Sequence, residues 1–144
     1  MASQIANNWK ELMHYGIPQV DADTFKICLM EPGFAFSRSA HEVYADISAF
    51  ELPTLGGYTA GGQALTPFPP TITNDAVLAA GIASWNNAVW TATATLQACG
   101  AIIYDDTVAA PDVDPIAGFI DFGGTITVYT GGAFTVSNIT LAYR

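Results

Sequence analysis

IAGFIDFGGTITVYTGGAFTV, residues 116–136, decides the fold class. Residues 116–122 are an apolar run of strand length, residues 125–129 alternate threonine with apolar side chains, and residues 133–136 repeat that pattern. The pairs Gly123-Gly124 and Gly131-Gly132 stand immediately before the second and third runs. Alternation with a period of two, punctuated by glycine, marks half-buried strands. The unit Gly-Gly-x-apolar-Thr-Val occurs twice, eight residues apart. Two copies that short form a local hairpin echo and cannot stack into a solenoid. Residues 139–143 supply a closing strand.

Working outward, residues 101–104 read as a short buried strand and residues 89–96 as an alternating one. Asn86-Asn87 marks a turn between Trp85 and Trp90, because asparagine tolerates left-handed geometry. Residues 75–85 read as one strand, with Ala76, Leu78 and Ala80 opposing Val77 and Ala79. Residues 24–30 alternate Phe25, Ile27 and Leu29 with Lys26, Cys28 and Met30, ending at Pro32. Two segments are helical. In residues 4–15, Ile5, Trp9, Leu12 and Met13 share one face, with Ser3 as cap and Gly16 and Pro18 as stop. Within residues 37–50, Val43, Tyr44 and Ile47 cover one side, with Ser39 as cap. The predicted fold is mainly β: an antiparallel β-sandwich or jelly roll with a short N-terminal helix and one further short helix. One domain over residues 1–144 suits the length, with residues 1–20 a helical arm on the domain or on a neighbour.

LGGYTAGGQALT, residues 55–66, contains two glycine pairs around a Tyr-Thr-Ala core and leads into Pro67-Phe68-Pro69-Pro70. Paired glycines predict tight bends at both ends and a close approach of other backbone. No Asp, Glu, His, Lys or Arg lies between Gly56 and Thr73. The stretch therefore shapes a domain or a contact surface and carries no acid–base chemistry.

Only 12% of residues are charged, against thirteen Asp and Glu and four Lys and Arg, for a net charge of −9. Phosphate backbones and anionic membranes both demand clustered cations, so neither nucleic acid nor membrane is an expected partner. No apolar run approaches the about 20 residues that span a bilayer. The first residues lack the basic and apolar regions of a secretory signal, which predicts folding in a cytoplasm. Cys28 and Cys99, both in apolar settings, read as two buried free thiols in preference to a disulfide.

Candidate chemistry is sparse. His41, Glu42 and Asp46 share a helical turn, but a solvated face is the expected use, and no metal or cofactor is predicted. Asp105, Asp106, Asp112 and Asp114 match no EF-hand spacing and read as a solvated acidic loop. The glycine stretch lacks the lysine and the strand-to-helix context of a phosphate loop. Asn138-Ile139-Thr140 fits a glycosylation acceptor without a secretory context. The expectation is a protein that is not an enzyme.

Four stretches carry a family resemblance: residues 21–30, residues 56–66, Ser84-Trp85-Asn86-Asn87, and residues 116–124. In this order the chain resembles the capsid decoration, or cement, proteins of tailed bacteriophages. The resemblance implies a jelly-roll domain on the capsid exterior, made in the host cytoplasm, that bridges neighbouring major capsid protein subunits as a homo-oligomer, a dimer in preference to a trimer. Expected contact residues are Trp9, Leu12, Met13, Tyr58, Trp85 and Trp90. The alternative is a fibre-tip or host-recognition module in which Tyr58, Trp85 and Trp90 stack on surface glycans. A third expectation, a glycan-active enzyme, would use Asp105 or Asp112.

Overall fold

The computed structural model describes residues 2–76 and 80–143. Ten strands and two short helices occur in the order β1 (Ala2–Ile5), α1 (Asn7–His14), β2 (Phe25–Met30), α2 (Tyr44–Ile47), β3 (Gln63–Ala64), β4 (Thr71–Asp75), β5 (Ala80–Ser84), β6 (Ala88–Thr91), β7 (Leu96–Asp105), β8 (Ile116–Val128), β9 (Ala133–Val136) and β10 (Thr140–Tyr143). A single 3-10 turn, Ser48–Phe50, follows α2. The strands form a five-stranded sheet in the order β1-β8-β7-β2-β3, a three-stranded sheet β10-β5-β4 and a two-stranded ribbon β6-β9. Every pairing is antiparallel. The expected class, antiparallel β-sandwich with two short helices, is the class observed.

The central pair β7–β8 decides where the core lies. Ile116, Ala117, Phe119 and Ile120 of β8 and Ala101, Ile102, Ile103 and Tyr104 of β7 are all buried. β2 lines the other side of β7 and is covered on both faces: Phe25, Ile27 and Leu29 on one, Cys28 and Met30 on the other. The alternation of residues 24–30 predicts the strand correctly. It does not predict that the second face is also buried, which the loop described below achieves.

Residues 116–129, read as two strands, are one. β8 runs through Gly123-Gly124 without a turn: Ala98 pairs with Ile126 while Gly100 pairs with Asp121, so the extra residues of β8 bulge out of the ladder. Gly123, at φ +79°, supplies the backbone that this bulge requires, and its N–H is held by the Asp121 carboxylate at 2.8 Å. The bulge separates a buried half of β8 from a half that is largely exposed. Residues 75–85, in contrast, belong to two strands, because β4 pairs antiparallel with β5 from Thr71↔Ser84 to Asp75↔Ala80. The Val77, Leu78 and Ala79 part of the single-strand expectation lies outside the described residues. The alternation of residues 89–96 also breaks: β6 ends at Thr91 and β7 begins at Leu96.

The N-terminus differs as well. Residues 2–5 form an edge strand on β8, from Ala2↔Asp121 to Ile5↔Gly118, and the helix starts only after Ala6. A sheet edge satisfies these backbone groups in a way that the isolated helical pattern could not reveal. The N-cap position is therefore Ala6 and not Ser3. The Asn7 N–H, an orphan at the helix start, instead donates to the Arg38 carbonyl at 2.9 Å, and the Arg38 guanidinium reaches back to the Ile5 carbonyl at 2.9 Å. The second helix begins at Tyr44, capped by the Asp46 carboxylate, which accepts the N–H groups of Glu42 and Val43. Ser39 has no such role. Both cysteines are free, Cys28 buried and Cys99 half-buried with its thiol donating to the Glu31 carbonyl.

Helix α1 lies on the chain's own sheet. Trp9 is fully buried and meets Phe25 edge-on at 5.7 Å, and Phe25 in turn meets Trp85 at 5.3 Å. These three rings tie the helix, the central sheet and the three-stranded sheet together. Trp9→Ala is expected to cost about 3–5 kcal/mol, as large-to-small aromatic substitutions in cores do. Tyr129→Ala, at a 72% exposed site, should shift stability by no more than about 0.5 kcal/mol. Urea unfolding followed by tryptophan fluorescence measures both.

Candidate contact surface and its buried clamp

Glu51 follows the 3-10 turn and is buried. Its carboxylate accepts short hydrogen bonds from the hydroxyls of Tyr44 and Tyr58, and a third from the Gly61 N–H at 2.7 Å. The Tyr58 hydroxyl also accepts the Leu29 N–H of β2 at 3.0 Å. Tyr104 of β7 donates to the Gly61 carbonyl at 2.6 Å. One carboxylate thus joins α2, the 3-10 turn, the glycine loop and two central strands. Burial, reinforced by the neighbouring Glu51, raises the Tyr44 hydroxyl above its ordinary pKa. Burial also raises Tyr58, with the Cys28 thiol and Glu51 adding to the effect. Both hydroxyls therefore remain neutral donors. The Cys28 thiol is pushed up too, by burial first and by Glu51 second.

The clamp holds the glycine loop in a fixed shape. Leu55 and Tyr58 exchange two backbone hydrogen bonds around Gly56-Gly57, whose φ values are +65° and +89°. That is a two-residue hairpin turn of the primed kind, which Gly-Gly favours. The turn leans on the end of β6: a Cβ on Gly57 would stand 2.0 Å from the Thr91 carbonyl oxygen. At the other pair, a Cβ on Gly62 would stand 1.9 Å from the Ile27 carbonyl oxygen. The bends and the close backbone approach expected from the sequence are both present, with β6 and β2 as the neighbours approached.

Tyr58 is buried, its hydroxyl held by Glu51 and β2, while its partner across the turn, Leu55, stands at the surface. Leu55 is 64% exposed and Phe50, one residue before the clamping carboxylate, is 48% exposed. Between them lie two hollows that share Glu31 and Pro32. One, of about 240 Å³, is lined by Phe34, His41 and Phe50; the other, of about 170 Å³, by Leu52, Leu55 and Leu96. The result is a mixed surface on clamped backbone, with Phe50 and Leu55 as its exposed apolar side chains and Glu31, His41, Thr95 and Gln97 as its polar ones.

Of the six residues expected to touch a partner, Trp9, Leu12, Tyr58, Trp85 and Trp90 are buried in the chain's own core. Trp90 packs on Tyr58 at 5.7 Å and Trp85 on Phe25. Only Met13 reaches the surface. Their size and apolar character mark them as important, and the core claims five of them. The sequence passes over Glu51 and Phe50, and Leu55 enters only as the first residue of the glycine stretch. A single glutamate before Leu52-Pro53 carries no spacing signal, and its tyrosine partners stand seven residues away on either side.

A second buried carboxyl group lies at the far end of β2. Asp105 is fully buried, and its Oδ1 accepts the N–H groups of Thr107 and Val108 at 2.8 and 3.3 Å. Its Oδ2 has no protein donor. Asp23, also buried, is the side chain it meets, and Asp23 itself accepts the Gln19 N–H at 2.7 Å. A proton on Asp105 resolves the orphan, since the carboxylic acid then donates to Asp23. Burial, aided by Asp23 and opposed by the two backbone donors, pushes Asp105 up from 3.8 to about 7. The other acidic residues here have different partners: Asp106 pairs with Lys26 at 3.2 Å and Asp112 accepts from Asn8 at 3.0 Å. His41 accepts the Ser37 N–H through Nδ1 and stacks on Phe34. Among the described residues, no three His, Cys, Asp or Glu side chains gather as a metal site, and no helix is long and apolar enough to cross a membrane.

No family model, no curated protein and no solved structure matches this chain.

Two outcomes follow from the buried carboxyl groups. Tyr58→Phe removes the link between Glu51 and β2 and leaves the Leu29 N–H unpaired, so stability should fall by about 1–3 kcal/mol in chemical denaturation. Asp105 binds its proton more tightly folded than unfolded. Its contribution is therefore complete below pH 3.8 and is lost as pH rises through about 7. Asp105→Asn keeps an uncharged donor toward Asp23, so the fall in melting temperature between pH 5 and pH 8 should flatten in that variant.

Proposed function

We propose that this chain is a non-enzymatic structural protein of a tailed-phage virion, a capsid decoration protein that bridges neighbouring major capsid subunits as a homo-oligomer. The observation that carries the proposal is the Phe50–Leu55 surface, apolar side chains held outward on clamped backbone in a protein with few charges. Exposed apolar side chains rimmed by polar residues suit protein contacts. A rigid backbone lowers the ordering cost of each contact. Repetition around a shell turns modest contacts into durable attachment. Of the four stretches that carry the family resemblance, the ones on β2 and the glycine loop belong to the clamp behind this surface, through the Leu29 N–H, Tyr58 and Gly61.

The fibre-tip alternative needs aromatic faces open to sugar rings, and Tyr58, Trp85 and Trp90 offer almost none. Contact through Phe50 and Leu55 replaces contact through the five buried residues first expected, and Met13 alone of the six stays at the surface.

Mass spectrometry and electron cryomicroscopy of purified virions test the proposal. The chain should be found on the outer face of the shell, with Phe50 and Leu55 against a neighbouring subunit. Phe50→Asp or Leu55→Asp, with unchanged circular dichroism, should weaken attachment about tenfold or more, because an aspartate is costly in an apolar contact. Absence of the chain from the shell, or full attachment of both variants, overturns the proposal.

A further inference from the structure

On the three-stranded sheet an open hollow of about 550 Å³ lies between the end of β5 and the start of β10. One wall carries Ser84, Asn86 and Asn87, and the facing wall carries Asn138 and Thr140. The floor is Trp85, 7% exposed, with Ile139 beside it. The walls are fixed to one another: the Trp85 N–H donates to the Ile139 carbonyl at 3.0 Å, and Thr140 pairs with Ser84 in the ladder. The Asn86 N–H is anchored to the Thr66 carbonyl at 2.6 Å. Among the described residues, no protein hydrogen bond engages the side-chain amides of Asn86, Asn87 or Asn138. Asn138 also holds a left-handed backbone, φ +54°, where glycine would be the easier choice.

The chemistry of this hollow is specific in what it contains and in what it lacks. Each asparagine amide both donates and accepts, which matches the mixed donor and acceptor hydroxyls of a sugar. Trp85 beneath them is 7% exposed and closes the base of the hollow, so the contacts on offer come from the amides. The volume falls within the range of small-molecule sites, about 300–1,000 Å³. No Asp, Glu, His, Lys or Arg lines it, and the chain's net charge of −9 disfavours anions.

We infer that this hollow binds a neutral saccharide, with the Asn87 and Asn138 amides bracketing ring hydroxyls above Trp85. The site is separate from the Phe50–Leu55 surface and does not depend on attachment to a capsid.

Saturation-transfer NMR on the full chain tests it with the methyl glycosides of glucose, galactose, mannose and N-acetylglucosamine, and with sialic acid and glucose 6-phosphate as charged counterparts. At least one neutral glycoside should bind with millimolar affinity and shift the Trp85 indole N–H resonance, while the charged sugars should not. Asn138→Gly separates binding from folding, because glycine is favoured at this φ and should keep or raise the melting temperature while removing the amide. That variant and Asn87→Ala should each lose about tenfold in affinity. Failure of every neutral glycoside to bind, binding of the charged sugars alone, or undiminished binding by both variants overturns the inference.

Discussion

The buried Glu51 carboxylate is the constraint on which the rest of the structure depends. Removing a carboxylate from water costs several kcal/mol even after relaxation, and no cation stands against it among the residues bonded to it. Two tyrosine hydroxyls and one glycine N–H offset that cost, each charge-assisted bond contributing about 1.5–3 kcal/mol. The balance holds only when α2, the glycine loop and β2 are all in place. A network of this kind favours one arrangement over near alternatives, because each half-made version leaves a charge buried without partners. The glycine pairs belong to the same constraint. Without them Tyr58 would not turn inward, and Gly61 would not present its N–H to Glu51.

The central strands provide the frame that this clamp closes. β7 and β8 are long, and the bulge at Gly123-Gly124 lets one strand serve two purposes: half in the core, half at the surface. Around them the Trp9–Phe25–Trp85 rings bring helix and second sheet onto the first. The other buried carboxyl group, Asp105, sits at the opposite end of β2 and solves burial differently, by holding a proton toward Asp23 instead of collecting hydroxyl donors. The two ends of one strand thus carry two chemical answers to the same desolvation problem.

The surface divides by chemistry. The clamped side presents Phe50 and Leu55 beside hollows of mixed lining, a surface suited to another protein. The hollow beside the three-stranded sheet is lined by asparagine amides and by no charged side chain, which suits a neutral polar ligand. The low charge of the chain, visible at once in composition, allows both, since neither surface has to compete with dense ionic groups.

The sequence by itself determined the class of fold, the strands at residues 24–30 and 133–136, Trp9 and Leu12 as inward positions of the first helix, and the bends at both glycine pairs. These are local properties: apolar periodicity and glycine conformational freedom act within a few residues. Only the tertiary structure decided that residues 2–5 pair as a strand, that β8 passes through Gly123-Gly124 as a bulge, and that β4 and β5 divide what reads as one strand. It also decided which large apolar residues are interior. Trp85 and Trp90 carry the same sequence signal whether they face a core or a partner, and only packing against Phe25 and Tyr58 settles their place. Glu51 was least legible of all, because a buried carboxylate is recognised by its donors, and these are brought to it by folding.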